Sequence, residues 1–237
     1  MSLLLGLQKS SLLDYPGKIS AVVFTYGCNL RCPFCHNPEL VIEKPSELLL
    51  SVDEVLGFLQ SRVGLLDAIV LTGGEPLIHS EVYDFLIKIK QMGFSIKVDT
   101  NGFFPKSIKK LMDLKIVDFW AMDIKNSEEE YLNTVGLLMD SNTEGFISKI
   151  IESVDLIMNS GVDYEFRTTF VPGFHTEKSV QNLGNIIKGA KRFAIQNFRS
   201  GKVLDTVLND RNGFTEMQLN GFKNILNGYV ENIIVRN

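Results

Sequence analysis

Cysteine is scarce in this chain: three residues among 237, all between positions 28 and 35. An odd, clustered set is no disulfide framework, and three thiols within eight residues look like metal ligands instead. Positive charge is also in deficit, with 24 Lys and Arg against 28 Asp and Glu and a formal net charge of −4. That excludes a nucleic-acid grip built on counterion release, which needs a basic face. No run of about 18 apolar residues is present, so no membrane-spanning helix is expected. The opening stretch lacks a basic n-region, and its apolar run is broken by Gln8 and Lys9, which makes a poor secretory leader and points to the cytoplasm. No low-complexity stretch and no plain internal repeat interrupts the chain.

What is present is ordinary for a globular enzyme: 45% hydrophobic and 22% charged residues. A chain of this length buries roughly 70–75% of its unfolded surface and needs no disulfides to stand. The reading is a single domain over 1–237, with a core at about 19–200 and a C-terminal extension at about 201–237. A weak boundary near Gly201 does not amount to a domain boundary.

Apolar, β-branched runs recur at 19–26, 68–72, 95–100, 117–123, 163–170 and 192–197, and read as strands. Helical patterns lie between them. Ser51 with Glu54 matches a capping box opening a helix to about Arg62. The stretch 81–92 places Val82, Phe85, Leu86 and Ile89 on one face, and Gly93 stops it. Stretches 107–114, 128–138, 144–160 and 177–188 read similarly. Strand then helix, repeated, gives a parallel sheet covered by helices. A closed eight-unit barrel takes ~250 residues, and this chain uses 1–18 and 201–237 elsewhere. The expected fold is therefore α/β, a partial (β/α)6 TIM-like barrel. It has a short N-terminal lead-in and a C-terminal extension of one helix (215–227) and a strand-like end (230–235).

The unusual residues follow the strands in order. Cys28, Cys32 and Cys35 follow the first. Thr72-Gly73-Gly74-Glu75-Pro76 follows the second and Asp99-Thr100-Asn101-Gly102 the third. Asp123-Ile124-Lys125 ends the fourth, Val171-Pro172-Gly173-Phe174-His175 follows the fifth, and Gln196-Asn197-Phe198-Arg199 the sixth. All lie at C-terminal strand ends, the face on which barrel enzymes build active sites. Turns supply Gly and Pro there by chance, but not so regularly Cys, Glu, Asp and Lys.

The cysteine spacing is C-x3-C-x2-C. Thiolates suit zinc or iron–sulfur ligation. A closed zinc site commonly takes two separated ligand pairs, and here a fourth ligand would have to be His36, awkwardly beside Cys35. A four-iron cluster on three thiolates leaves one iron open, the mark of a catalytic rather than a structural site. This spacing, with the aromatic Phe34 before the last Cys, resembles the radical S-adenosylmethionine superfamily. The resemblance implies a [4Fe–4S] cluster on Cys28, Cys32 and Cys35, with S-adenosylmethionine chelating the open iron and Phe34 near its adenine. It further implies one-electron cleavage to methionine and a 5′-deoxyadenosyl radical.

Gly73, Gly74 and Glu75 resemble the family's second motif, which meets the methionine ammonium; alone, they would read as a tight turn. Asp99-Thr100-Asn101-Gly102 would likewise read as a turn and Asp123 with Lys125 as a structural pair. Both segments match the glycyl-radical enzyme activating branch, where the two Asp and the Lys surround the cofactor's amino-acid end, Thr100 lying in the same motif. A bound monovalent cation near the two Asp is compatible with that resemblance. Arg167 reads equally as a cofactor contact and as an ion pair with Glu165 or Asp123. His175 reads as a solvated loop histidine.

The lead-in Ser11-Leu12-Leu13-Asp14-Tyr15-Pro16-Gly17 and the triplet Cys35-His36-Asn37 also match the activating branch. The match is closest to the activating proteins of anaerobic ribonucleoside-triphosphate reductase. It implies that reductase as the glycyl-radical partner and an external electron donor such as flavodoxin or ferredoxin, because no further cysteines exist for a second cluster. One departure is the lack of a histidine after the sixth strand, where Gln196 or Asn197 would have to serve as a neutral donor. The rival readings are a radical enzyme acting on a small molecule, like 7-carboxy-7-deazaguanine synthase, and a zinc-binding interaction protein.

Overall fold

The computed structural model describes residues 3–41, 49–138 and 145–236. Two compact units are present: Met1–Asn29, Glu39–Thr100 and Lys106–Trp120 form the first, and Leu30–Pro38, Asn101–Pro105 and Ala121–Asn237 the second.

In the first unit, β1 (Leu4–Ser11), β2 (Ser20–Thr25), β3 (Leu50–Ser51), β4 (Ala68–Gly73) and β5 (Ser95–Thr100) lie in the order β3-β1-β2-β4-β5. The strands β2, β4 and β5 are parallel, in the register Ser20↔Ala68↔Ser95. They read as near-continuous buried runs, such as Ala21, Val22 and Val23 or Ile69, Val70 and Leu71, because both faces are covered. A one-turn helix, α1 (Pro38–Val41), begins at the edge of this unit. Two helices supply much of the cover: α2 (Val52–Gln60), which buries Val55 and Leu59, and α3 (Val82–Gln91), which buries the four apolar residues expected of it. The capping box of α2 is formed, with the Ser51 N–H donating to Glu54 Oε2 at 2.8 Å. A further helix, α4 (Pro105–Asp113), leads to β6 (Phe119–Asp123). The Asp118 N–H donates to the Ile96 carbonyl at 2.8 Å and brings that chain to the β5 edge.

From Ala121 onward the chain belongs to the second unit. There β6 is followed by α5 (Tyr131–Thr134), α6 (Phe146–Met158), β7 (Asp163–Phe170), α7 (Glu177–Ile186), β8 (Phe193–Asn197), α8 (Glu216–Leu226) and β9 (Ile233–Arg236). The strand order is β6-β7-β8-β9, with β7, β8 and β9 parallel. Phe170, Phe214 and Phe222 interlock edge to face under α8, with ring centroids 4.9 and 5.1 Å apart.

All six expected strands are found, each within two residues of its expected ends, and the fold class is the expected α/β partial barrel. Three elements differ. The lead-in contains β1, a full strand antiparallel to β2 and β3. The strand-like end lies at Ile233–Arg236 rather than 230–235, and it joins the parallel sheet beside β8. The helix expected at 128–138 is a single turn, because Gly136 (φ +69°) turns the chain against Arg31. A Cβ there would sit 2.3 Å from the Arg31 carbonyl oxygen, so only glycine can make that exit. Glu144, the expected start of the next helix, lies outside the described residues. Among the described residues no helix is long and apolar enough to cross a membrane.

The strand β9 is tied to β7 by a bidentate pair, Arg236 to Glu165 at 2.9 and 2.8 Å, with the Glu165 side chain 3% exposed. Arg236→Ala is expected to destabilise the protein by about 2 kcal/mol, because it strands a buried carboxylate; the figure is reduced from that of a fully buried pair because the arginine is partly solvated. Adding Glu165→Gln should recover part of the loss. Urea midpoints of the two variants check this, and a double variant no more stable than the single one contradicts it.

Candidate active site

In the first unit, β2 delivers the chain to Cys28 and β4 delivers it to the two glycines. Their junction is tight. The Gly74 N–H donates to the Thr25 carbonyl at 3.0 Å, and the Glu75 N–H to the Gly27 carbonyl at 2.9 Å. A Cβ on Gly73 would lie 2.3 Å from the Thr25 oxygen, and one on Gly74 2.1 Å from the Gly27 oxygen. The glycines therefore serve first to let two backbones touch beside Cys28. The Gly74 and Glu75 N–H groups are thereby used within the junction itself.

Glu75 is fully buried. Its Oε1 accepts from the Thr100 hydroxyl at 2.8 Å and from the Leu77 N–H at 3.1 Å, where it caps a short 3-10 turn. Thr100 is thus fixed to the neighbouring strand end. Asp99 is paired with Lys97 at 2.5 Å, the lysine side chain being only 3% exposed. Sequence reasoning missed Lys97, although a charged residue two places before Asp99 on a strand must share its face.

In the second unit, Cys32, Phe34 and Cys35 lie on a loop held by its own turn and by a distant segment. The Cys35 N–H donates to the Cys32 carbonyl at 3.0 Å. The Leu204 N–H donates to the Cys35 carbonyl at 3.0 Å and the Asp205 N–H to the Pro33 carbonyl at 2.8 Å. His36 Nε2 meets the Arg199 carbonyl at 2.9 Å. The segment expected as a C-terminal extension is therefore the brace of the cysteine loop. Phe34 is buried edge-on to Phe174, with ring centroids 5.7 Å apart.

Asp123, at the end of β6, accepts from Lys125 Nζ and from Arg167 Nε, each at 2.8 Å. Of the two acids considered for Arg167, Asp123 is its partner, and Glu165 belongs to Arg236. Burial would raise the Asp123 carboxyl, but the Arg167 guanidinium and the Lys125 ammonium outweigh it and hold the group well below the usual carboxylate range. Burial likewise works against the Lys125 charge. The Asp123 carboxylate and then Cys32 overcome it and hold the ammonium above its ordinary range.

His175 is not the solvated loop residue expected from its Pro-Gly context: it is 3% exposed. Its Nδ1 accepts from the Val171 N–H at 3.1 Å, and its Nε2 lies 2.8 Å from the Lys125 carbonyl. The two contacts require the neutral Nε2–H tautomer, and burial pushes the ring down to about 4. Asn126, fully buried, donates to Thr134 Oγ1 and to the Phe174 carbonyl, both at 2.8 Å. His175 and Asn126 thus fix the backbone at the Lys125 carbonyl and at the residue after it. Asn101 and Gly102 do form a turn, with Asn101 Oδ1 accepting from the Phe103 N–H at 3.0 Å. Asn197 is occupied by the Phe214 backbone on both its amide atoms at 2.9 Å, and Gln196 Oε1 accepts from the Thr169 hydroxyl at 3.4 Å.

None of the three cysteines is in a disulfide, and the set is a donor chemistry that fits an iron–sulfur cluster. Among the described residues, no three His, Cys, Asp or Glu side chains converge to hold a single metal ion. Tyr131 is fully buried, and its hydroxyl has no hydrogen-bond partner among the described residues. An orphaned donor of this kind near Cys32 and Lys125 fits a site completed by a bound group.

Comparison with known proteins agrees with this chemistry. The family model described as the radical SAM superfamily matches residues 22–183. A Methanocaldococcus jannaschii protein, named as a proposed glycyl-radical enzyme activating enzyme, is 33% identical over 99% of this chain and 96% of its own. The pyruvate formate-lyase-activating enzyme of Clostridium pasteurianum is 29% identical over 78% of this chain and 76% of its own. Among solved structures, Streptococcus suis SuiB bound to S-adenosylmethionine superposes with a TM-score of 0.67 at 12% identity, over 90% of this chain. This chain spans about half of SuiB, 48%, and at that identity the likeness shows the fold alone.

The buried neutral His175 gives the protein an acid sensitivity. An unfolded histidine takes a proton near pH 6.5, whereas the buried one resists until about 4. Between those values the unfolded state binds more protons, so stability falls as pH drops through the window, by on the order of 3 kcal/mol. His175→Gln should flatten that part of the profile in urea titrations at pH 7, 5.5 and 4. An equally steep loss in the variant contradicts the assignment.

Proposed function

Because this chain belongs to the radical SAM superfamily, among the relatives of the glycyl-radical enzyme activating enzymes, we propose that it installs a glycyl radical on a partner enzyme. The partner in this reading is the anaerobic ribonucleoside-triphosphate reductase. The observation that supports its cofactor chemistry lies in the second unit, which holds Cys32 and Cys35 and where the Lys125 ammonium is fixed by Asp123 at 2.8 Å. A thiolate that ligates iron beside a cation that takes a carboxylate suits one ligand, the amino-acid end of S-adenosylmethionine.

In this reading Cys28, Cys32 and Cys35 hold a [4Fe–4S] cluster. When bound and reduced, the cluster supplies the one electron that splits the cofactor into methionine and a 5′-deoxyadenosyl radical, the oxidant for a glycine Cα–H. Lys125 has three donors, of which Asp123 takes one, and a carboxylate takes another. Gly73, Gly74 and Glu75 present acceptors to the ammonium. Asp99 and Thr100 line the same strand end. Phe34 packs on the adenine, and Arg167 keeps Asp123 ionised and oriented. A monovalent cation beside the two Asp belongs to the same reading. With three cysteines in the chain, electrons come from an external flavodoxin or ferredoxin in the cytoplasm.

Cys32→Ala should take up no stable cluster, as read by iron and sulfide content; a fully loaded variant contradicts the ligand assignment. Lys125→Ala should keep its cluster and lose roughly tenfold or more in S-adenosylmethionine affinity; unchanged affinity removes the carboxylate contact. The function itself is tested with a partner reductase carrying Cα-deuterated glycine. Deuterium in the 5′-deoxyadenosine formed supports the proposal. Unlabelled 5′-deoxyadenosine formed at full rate contradicts it and directs attention to a small-molecule substrate.

A further inference from the structure

The functional reading includes a monovalent cation beside two acids, Asp99 and Asp123, and each acid can be taken in its own unit. Asp123, in the second unit, already accepts from two cations, Lys125 and Arg167. Asp99, in the first, has the Lys97 ammonium at 2.5 Å. The two side chains are 3% exposed for Lys97 and 14% for Asp99. A carboxylate so largely withdrawn from water requires a countercharge, and here the same strand supplies one.

The setting of Lys97 is unusual for a lysine. It stands in the middle of β5, in register with Val70 of β4, which is itself in register with Val22 of β2. Both valines are buried. A third apolar residue would suit that row, and replacing a buried ion pair by well-packed apolar side chains is often neutral or stabilising. Packing therefore gives no reason for a charge at position 97, whereas Asp99 does. Residues 97 and 99 share one face of the strand. The lysine before them on the chain, Lys18, is engaged further back on that face, where its Nζ donates to Ser95 Oγ at 2.5 Å. An ammonium carries the charge of Na+ or K+ and is of comparable size. Tethered two residues from Asp99, it is present at an effective concentration that an ion from solution has to outcompete.

We infer that the cation of Asp99 is built into the chain as the Lys97 ammonium, so that the protein binds S-adenosylmethionine without Na+ or K+ from solution. The inference rests on the functional reading above, in which Asp99 lines the strand end that receives the cofactor. Lys97 acts through Asp99 and is in this sense a positioning residue.

The test is S-adenosylmethionine binding by the cluster-loaded protein in chloride salts of Na+, K+ or N-methylglucamine, an organic cation too large for such a site, at one ionic strength. Wild type should bind equally in all three. Lys97→Met, which removes the ammonium and keeps most of the stem, should lose roughly tenfold or more in N-methylglucamine, the size of one charge-assisted contact. Na+ or K+ should restore it. Melting temperatures without S-adenosylmethionine should show the same pattern, with Na+ or K+ raising that of the variant and not that of wild type. Wild-type binding that requires Na+ or K+ overturns the inference, and this arm decides the question if Lys97→Met fails to fold. So does a variant that binds as wild type in N-methylglucamine, or one whose loss neither ion restores, which would make Lys97 a packing residue or a direct cofactor contact. A cluster-loaded wild type that binds no S-adenosylmethionine in any salt overturns the functional reading instead, and the melting temperatures then still decide whether Lys97 stands in for an ion.

Discussion

A half-buried carboxylate between two cations holds its place only while all three are kept in register. Asp123 is such a group, with Lys125 and Arg167 each 2.8 Å away. Desolvation works against all three charges, and their mutual attraction outweighs it only with good geometry. Much of the second unit's fine structure supplies that geometry. The Ile124 N–H is bonded to the Arg167 carbonyl at 2.8 Å, and the Thr168 hydroxyl returns to the Ile124 carbonyl at 2.5 Å. His175 holds the Lys125 carbonyl and Asn126 pins the next residue to α5. In the proposed function a cation fixed this firmly meets the cofactor's carboxylate with little rearrangement, which is the physical meaning of a preorganised site.

The first unit uses a different device. At the junction of β2 and β4 the fixing contact is backbone on backbone, since Gly73 and Gly74 lie against Thr25 and Gly27 with no room for a Cβ. The same contacts fix where the chain leaves β2 just before Cys28. A glycine pair that reads in the sequence as a ligand cradle is therefore also the joint that sets the first cysteine. The brace of Leu204 and Asp205 on Cys35 and Pro33 does the equivalent work for the other two. Each unit thus holds its share of the cysteine motif with backbone hydrogen bonds rather than with side chains that a ligand would displace.

Much of the fold was legible in the sequence, because parallel strands buried on both faces give long apolar runs. The chain's Cys, Glu, Asp and Lys clusters stand at the strand ends, as expected. What escaped notice has physical reasons. The strand β1 buries only Leu5 and Ser11, so it shows no clean alternation. The periodic stretch 128–138 carries a helical pattern, but its course is decided by Gly136 meeting Arg31, a contact far away in sequence. His175 follows a Pro-Gly turn, a solvated context, yet tertiary packing buries it. Lys97 was visible as a same-face partner of Asp99. Tyr131 was not, because nothing in a sequence reveals that a hydroxyl will be left without an acceptor.

The central claim is radical transfer to a protein partner, and the most direct measurement is electron paramagnetic resonance. The reduced, reconstituted protein is mixed anaerobically with S-adenosylmethionine and the anaerobic ribonucleotide reductase of the same cell. A persistent glycine-centred doublet on the reductase, absent when Cys32→Ala replaces the wild type, is the result this account predicts. Production of 5′-deoxyadenosine with no protein-centred radical would contradict it.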